Sequence, residues 1–252
     1  MAQELRVLIA GESWETTSIH QKGFDIFTTT FYEEGVGPLK SALEASGYEV
    51  THMPSHIAAT KFPTELAELQ RYDVVMLSDI GANTLLLHPD TFVKSKRMNN
   101  RLKLLREYTA NGGGLVMVGG YLTFQGIDAK ARYAKTAVEE VLPVTMLERD
   151  DRVEVPEGVE AKVQMADHPI VAGLVGEWPA LLGYNQIMAK PAADVVATVG
   201  DDPLLVAWTH QQGRAVAFAS DCGPHWAPPE FLAWAGYGKL WSQLVGWAGG
   251  VL

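Results

Sequence analysis

The chain has 252 residues, 47% hydrophobic and 20% charged, an ordinary globular composition at a length that can bury a full three-layer core in one domain. Its formal charge of −10 argues against nucleic acid and anionic membranes as partners, because both are bound through cationic surface. A single cysteine, Cys222, excludes an intramolecular disulfide and a cysteine-cluster metal site.

The chain opens on "MAQELRVLIAG", where Glu4 and Arg6 precede a short apolar run. That is not the order of a signal peptide, and no run of 18 apolar residues follows anywhere, so a cytoplasmic protein is expected. Leu5–Ala10 ends at Gly11 and reads as a buried parallel strand. A helix is predicted over Gly37–Ser46, closed by Gly47, then a strand over Tyr48–Met53. "DVVML", Asp73–Leu77, is the third strand and ends at Ser78–Asp79. Leu102, Leu105 and Tyr108 have helical spacing within Asn100–Asn111, and Leu115–Val118 is the fourth strand, followed by Gly119–Gly120. Alternation of this kind predicts a parallel sheet with helices on both faces. Beyond it, Arg152–Met165 and Asp194–Trp208 read as strands without long helices between them. "HQQGR", His210–Arg214, reads as a hairpin turn into Ala215–Ala219, and that late strand is expected to be antiparallel. Phe231–Gly249 reads as one closing helix in which Trp234, Trp241 and Trp247 mostly pack inward; an exposed remainder would suit contact between copies, so a homo-oligomer is expected.

Ligands of parallel sheets bind beyond the carboxyl ends of the strands. Four segments fall there: "GESWETTSIHQKGFDIF", "SDIGANTLLLHPD", "GGYLTFQG" and "SDCGPHWAPP". All are longer or richer in polar and aromatic residues than a connection alone requires. The first, read as a loop, offers Glu12, Ser13, Trp14 and His20; the second offers Asp79 and Asn83, with Asp79 equally suited to cap a helix. "GGYLTFQG" stands where many α/β enzymes place a nucleophile on a sharp turn, yet its apex is Gly120 or Tyr121, and neither attacks a carbonyl. Its glycines could still expose backbone N–H groups to an anion. "SDCGPHWAPP" sets Asp221, Cys222, His225 and Trp226 close together. Cys222 is either a nucleophile activated by His225 or a small apolar filler. His20, Asp79, Cys222 and His225 lack the tight spacing of a metal centre, and no metal or cofactor is expected.

"YDVVMLSD", "NGGGLVMVGG", "ADHPIVAGL" and "DDPLLVAWTHQQGRAVAFASD", in this order, resemble the class I glutamine amidotransferase-like superfamily. Within it they are similar to the glutamine amidotransferase-like cytoplasmic proteins that neighbour the trehalose-utilisation (ThuA-like) branch. The resemblance spans residues 5–249 and implies a flavodoxin-like α/β three-layer sandwich. In true members a Cys at the elbow attacks the carboxamide of glutamine, activated by a His–Glu pair. Here the elbow falls on Gly119–Gly120–Tyr121 without a Cys, and His225 is followed by Trp226 and Ala227 rather than by a nearby Glu. The resemblance to ThuA-like proteins implies a pocket for sugars or related small molecules, with Trp14, Tyr121, Phe124 and Trp226 as stacking surfaces. Three functions stay open. One is an enzyme without covalent catalysis, with Asp79, His20 and His225 as acid–base groups and Glu12 and Gln125 positioning a small polar substrate. The second is a binding or regulatory module, and the third a Cys222–His225 amide hydrolase.

Overall fold

The computed structural model describes residues 4–252. The first strand, β1 (Arg6–Gly11), is followed by a hairpin, β2 (Ser13–Lys22) and β3 (Asp25–Glu34), and then α1 (Gly37–Ala45), β4 (Glu49–Met53), α2 (Ser55–Lys61) and α3 (Leu66–Leu69). Next come β5 (Val74–Ser78), the short α4 (Ala82–Leu86) and α5 (Pro89–Phe92), α6 (Arg101–Ala110) and β6 (Gly114–Val118). The second half holds α7 (Ala137–Val141), β7 (Val144–Met146), β8 (Arg152–Val159), β9 (Ala161–Val163), β10 (Leu181–Asn185) and β11 (Ile187–Ala189). It ends with β12 (Asp194–Val199), β13 (Asp202–His210), β14 (Gly213–Phe218), α8 (Pro229–Leu232) and α9 (Tyr237–Ala248).

Eight strands form the main sheet in the order β4-β1-β5-β6-β14-β13-β12-β9. β5 and β6 are buried at every position, and β1 at all but its first residue. Strands covered on both faces need continuous apolar runs, and "VVML" and "LVMV" supply them. Helices α1 and α9 pack together, with Trp241 of α9 edge-on to Phe218 of β14 at 5.1 Å between ring centroids. A second group joins α2 to α4, α4 to α6, and α6 to α3 and α7. This is the α/β, flavodoxin-like, class I glutamine amidotransferase-like fold, mostly parallel with an antiparallel extension of β13, β12 and β9.

Four elements differ from the sequence reading. The late strand β14 is parallel to β6 and antiparallel only to β13, so its carboxyl end lies on the same edge as those of β1, β5 and β6. The segment after β1 is a ten-on-ten hairpin that hydrogen-bonds to no other strand. Arg152–Met165 divides into β8, which pairs with β10, and β9, which pairs with β12. The closing helix is two pieces: Gly236 sits beneath the Trp234 indole, where no side chain fits, and a glycine there favours a break. Trp241 and Trp247 are buried, so the closing helix leaves no row of exposed tryptophans for a second copy.

Candidate functional site

Strands β1, β5, β6 and β14 are consecutive neighbours in the sheet and all point one way, so the segments that follow them meet at one edge. At the end of β1 the chain must pass close over β5. Gly11 has φ +103°, and a Cβ there would fall on the Ser78 carbonyl oxygen. Glu12 follows with φ 49°, donating its N–H to that carbonyl at 2.7 Å and sending its side chain inward. The carboxyl of Glu12 is buried, 1% exposed, accepting a 2.5 Å hydrogen bond from Ser78 Oγ and a 3.8 Å one from Cys222 Sγ. Ser78 Oγ and Cys222 Sγ are 3.5 Å apart. Asp221 completes the knot: it is 2% exposed, accepts the Gly223 N–H at 3.0 Å, and lies 4.0 Å from His225 Nδ1. Ligand atoms of Glu12, Asp221 and Cys222 all fall within 4.8 Å of one another, the one such cluster among the described residues.

Burial decides the charge of this cluster. It pushes Glu12 up to about 7, helped by the nearby Asp79 carboxylate and opposed by the Ser78 and Cys222 hydrogen bonds. Asp221 rises well above the usual carboxylate range, again by burial first and then by Glu12 and Asp79. The Cys222 thiol also rises, through burial and its acidic neighbours Glu12 and Asp221. Like charges this close in low dielectric do not all ionise, so the cluster stores protons at neutral pH.

The turn after β6 is where a nucleophile would stand. Gly120 has φ +151°, and a Cβ there would come within 3.1 Å of Asp79 Oδ1. The Gly120 N–H is taken by Asn185 Oδ1 at 2.9 Å, while Asn185 Nδ2 returns to the Gly120 carbonyl at 3.2 Å and to Asp151 Oδ1 at 2.9 Å. Leu122 donates its N–H to Asp79 Oδ1 at 2.7 Å, and the Tyr121 N–H also favours the ionised Asp79. The anion-binding turn therefore exists, and the protein's own Asp79 carboxylate fills it. Burial raises Asp79 above the ordinary range, against those N–H groups and the neighbouring His225.

Above these acids stands an aromatic wall. His225, at φ 95°, is exposed, and its ring stacks on Tyr121 at 5.5 Å and 19° and tilts against Trp14 at 5.2 Å. Arg152 lies over the Tyr121 ring, 5.0 Å from its centroid. Glu12, Asp79 and His225 are three non-glycine residues with positive φ in one place, and strained backbone of this kind clusters where a fold positions functional groups. A cleft of about 190 Å³, lined by Ser13, Trp14, Glu15, Tyr32, Ser55 and His56, opens beside Trp14. Three larger clefts, of about 340, 300 and 290 Å³, contain none of the candidate residues.

Of the residues singled out by sequence, Glu12, Trp14, Asp79, Gly120, Tyr121, Asp221, Cys222, His225 and Trp226 do meet here. Several of the residues singled out, two of these among them, do not fit the roles expected of them. His20 lies eight residues out along β2, stacked on Phe27 at 4.5 Å and bonded to Thr29 at 3.0 Å, because the segment is a ribbon leading away from the edge. Asn83 is exposed on α4 and bonds to none of these groups. Phe124 is fully buried and is core, not a stacking surface. Gln125 is buried: its N–H binds Asp151 at 2.9 Å and its Oε1 accepts from Ala134, so it braces the turn instead of facing a ligand. Ser13 fastens the hairpin base to α2 by accepting the Ser55 N–H at 2.8 Å. Trp226 is 2% exposed, with its Nε1–H bound to Glu154 at 2.9 Å, and its indole covers Gly183. The Cys222–His225 pair is not made: the sulfur is fully buried and hydrogen-bonded to Ser78 and Glu12, while the near partner of His225 is Asp221. Sequence reasoning did not place Ser78, Asp151, Arg152 or Asn185 at the site. Ser78 and Asn185 act at separations of 66 and 65 residues, which no local pattern encodes.

The fold and this edge define a class I glutamine amidotransferase-like protein whose elbow carries glycine. The family model described as "Putative glutamine amidotransferase" matches residues 6–249, and the chain belongs to that family. It is similar to the cytoplasmic protein STM3548 from Salmonella typhimurium, with 48% identity, TM-score 0.94, and coverage of 97% of this chain and 99% of that one. The cytoplasmic protein STM1381 from Salmonella typhimurium LT2 is 46% identical, with TM-score 0.93 and the same coverage. A ThuA-like protein from Bacteroides uniformis shares the fold at 14% identity, with TM-score 0.55 and coverage of 97% of this chain and 91% of that one. No curated protein matches the chain. Among the described residues no helix is long and apolar enough to cross a membrane.

Proposed function

We propose that this chain is a cytoplasmic acid–base enzyme that acts on a small, polar, sugar-like metabolite without a covalent intermediate. The observation that carries the reading is His225: an exposed imidazole held between Trp14 and Tyr121, directly above buried carboxyl groups. His225 transfers the proton at the substrate. Asp79, fixed by the turn N–H groups, provides the opposing carboxylate, and Glu12 and Asp221 form the proton store beneath. The rings of Trp14 and Tyr121 give a sugar its stacking surface, and the cleft beside Trp14 gives it room. Glutaminase chemistry by the elbow route is not part of the proposal, since Gly120 has no nucleophile and Asp79 occupies the turn.

The test is turnover of a panel of sugars, sugar acids and amides, followed by NMR, for the native protein, His225→Ala and Asp79→Asn. Each variant is expected to lose a factor of about a hundred or more while melting as a folded protein. Unchanged turnover in both variants overturns the assignment. A second reading, a binding module, is favoured by the filling of the turn by the protein's own carboxylate. It predicts ligand-dependent stabilisation with no product, and product in excess over protein rules it out.

A further inference from the structure

The β2–β3 hairpin is the least explained part of the molecule. It pairs only with itself, over ten residues a side, and stands clear of the main sheet. An isolated two-stranded ribbon is marginal in water. This one also exposes Ile19, Ile26, Phe27, Phe31 and Tyr32, with Phe24 fully exposed at its tip. Exposed apolar surface at this density marks a contact surface. Its charge is one-sided too: Glu15, Asp25, Glu33 and Glu34 stand against Lys22 alone.

A second unexplained surface has the opposite charge. At the corner formed by α2, α4 and α5, Ile57, Leu87, Phe92 and Val93 are exposed, the last two at 72% and 73%. Next to Phe92 and Val93 stand Lys94, Lys96 and Arg97 against Asp90, with Glu65 beside Arg97 and Glu68 beside Lys61 farther round, a locally basic patch in a chain whose net charge is −10. Lys94 and Lys96 reach Asp90 at 2.7 and 3.4 Å yet stay about 60% exposed, so their charge still faces solvent. The two surfaces match in apolar character and are opposite in sign.

They are also neighbours on one molecule. Ser55 of α2 bonds Ser13 at the hairpin base, and Tyr32 meets the His56 ring edge-on at 5.2 Å. The base is fixed by these bonds and by the Gly35 N–H to the Glu12 carbonyl at 3.1 Å, so the ribbon points outward from its own corner. We infer that the hairpin is an exchange arm that docks on the α2–α4–α5 corner of a second copy of this chain, which returns its own arm in the same way. A two-fold axis makes both contacts identical. A ribbon about 34 Å long and about 10 Å wide offers about 340 Å² per face. With one arm given and one received, each copy buries on the order of 700 Å², close to the roughly 800 Å² per partner of a standard stable interface.

The experiment is sedimentation equilibrium of the full chain and three variants, each first checked for an unchanged melting temperature. The native protein is expected to be a dimer. Phe24→Ser/Ile26→Ser, at exposed positions that support no core, is expected to raise the dimer dissociation constant tenfold or more. The charge variants Glu15→Lys/Asp25→Lys and Lys94→Glu/Lys96→Glu are each expected to weaken the dimer, and their equimolar mixture to restore it as a heterodimer, since both of its contacts regain opposite charges. A native protein that stays monomeric up to about 0.1 mM overturns the inference. So does a dimer that none of the variants weakens, or weakened charge variants whose mixture does not recover. Hydrogen exchange gives an independent reading: residues 13–34 gain protection with rising protein concentration, and concentration-independent exchange there counts against the arm.

Discussion

Replacing Glu12 by Gln tests the proton store. In the native fold burial pushes Glu12 up to about 7, from 4.5 for a solvated carboxyl. The folded state therefore holds a proton through a pH range in which the unfolded chain has released it. The unfolded state then binds fewer protons, and stability falls as pH rises. The contribution is fully present below pH 4.5, declines between 4.5 and 7, and is gone above 7. At about 1.4 kcal/mol per pH unit, that span corresponds to about 3 kcal/mol. Glutamine keeps the shape and the acceptor for Ser78 but cannot titrate. Urea unfolding of both proteins from pH 5 to 9 should give a native stability that drops across the window and a variant whose drop is smaller by about that amount. His168 and His210, whose burial lowers them, act with the opposite sign below neutrality, but they are common to both proteins and cancel in the difference. Removing Glu12 also relieves Asp221, which it helps to raise, and this flattens the variant further. Parallel pH profiles for the two proteins would refute the reasoning.

Three further outcomes follow from the same geometry. Cys222 should react with a disulfide reagent slowly in the native state and stoichiometrically in denaturant, and Cys222→Ala should keep turnover; rapid native labelling contradicts the buried sulfur. Asn185→Leu removes three hydrogen bonds, stranding the Gly120 N–H and carbonyl while Asp151 Oδ1 keeps the Gly126 N–H, and should cost about 2–4 kcal/mol by urea unfolding, whereas a loss below about 0.5 kcal/mol would show the clamp to be dispensable. Gly120→Cys should release no glutamate from glutamine in an enzyme-coupled assay, although it puts a thiol at the family's nucleophile position.

The sheet was legible because its central strands are short apolar runs bounded by Gly or Asp, the pattern that burial on both faces imposes. The meeting of Glu12, Asp79 and Tyr121 was legible for a topological reason, since each follows a strand whose carboxyl end is fixed by the parallel order, whereas Asp221 joins them because β14 is parallel to β6 and not antiparallel as the hairpin before it suggested. What could not be read was the direction each side chain takes. Glu12 turns inward because its φ is 49°, and Asp79 reaches the Leu122 N–H with a φ of 44°; neither angle leaves a trace in periodicity. The hairpin did leave one: β-branched and aromatic residues, "WETTSI" and "IFTTTFY", flank a turn at Lys22–Gly23. Its two faces are both mixed, so it lacks the alternation that marks a strand with one side buried, and it reads as a long loop.

A missing cysteine would leave the rest of an amidotransferase elbow intact if loss of the nucleophile were the only change. This turn differs more deeply. An oxyanion needs free N–H donors aimed at it. Here the Gly120 N–H is held by Asn185, and the Leu122 N–H by Asp79. A Cβ at Gly120 would press on the carboxylate that fills the turn, at a φ that side chains rarely adopt. A thiol placed there would be strained, would face a carboxylate that disfavours its ionisation, and would have no hole for the tetrahedral oxygen. The internal carboxylate has taken the place that substrate charge takes in the covalent mechanism. Any chemistry at this edge must then use groups that still reach solvent, and of the acids, thiol and imidazole gathered here His225 is the exposed one.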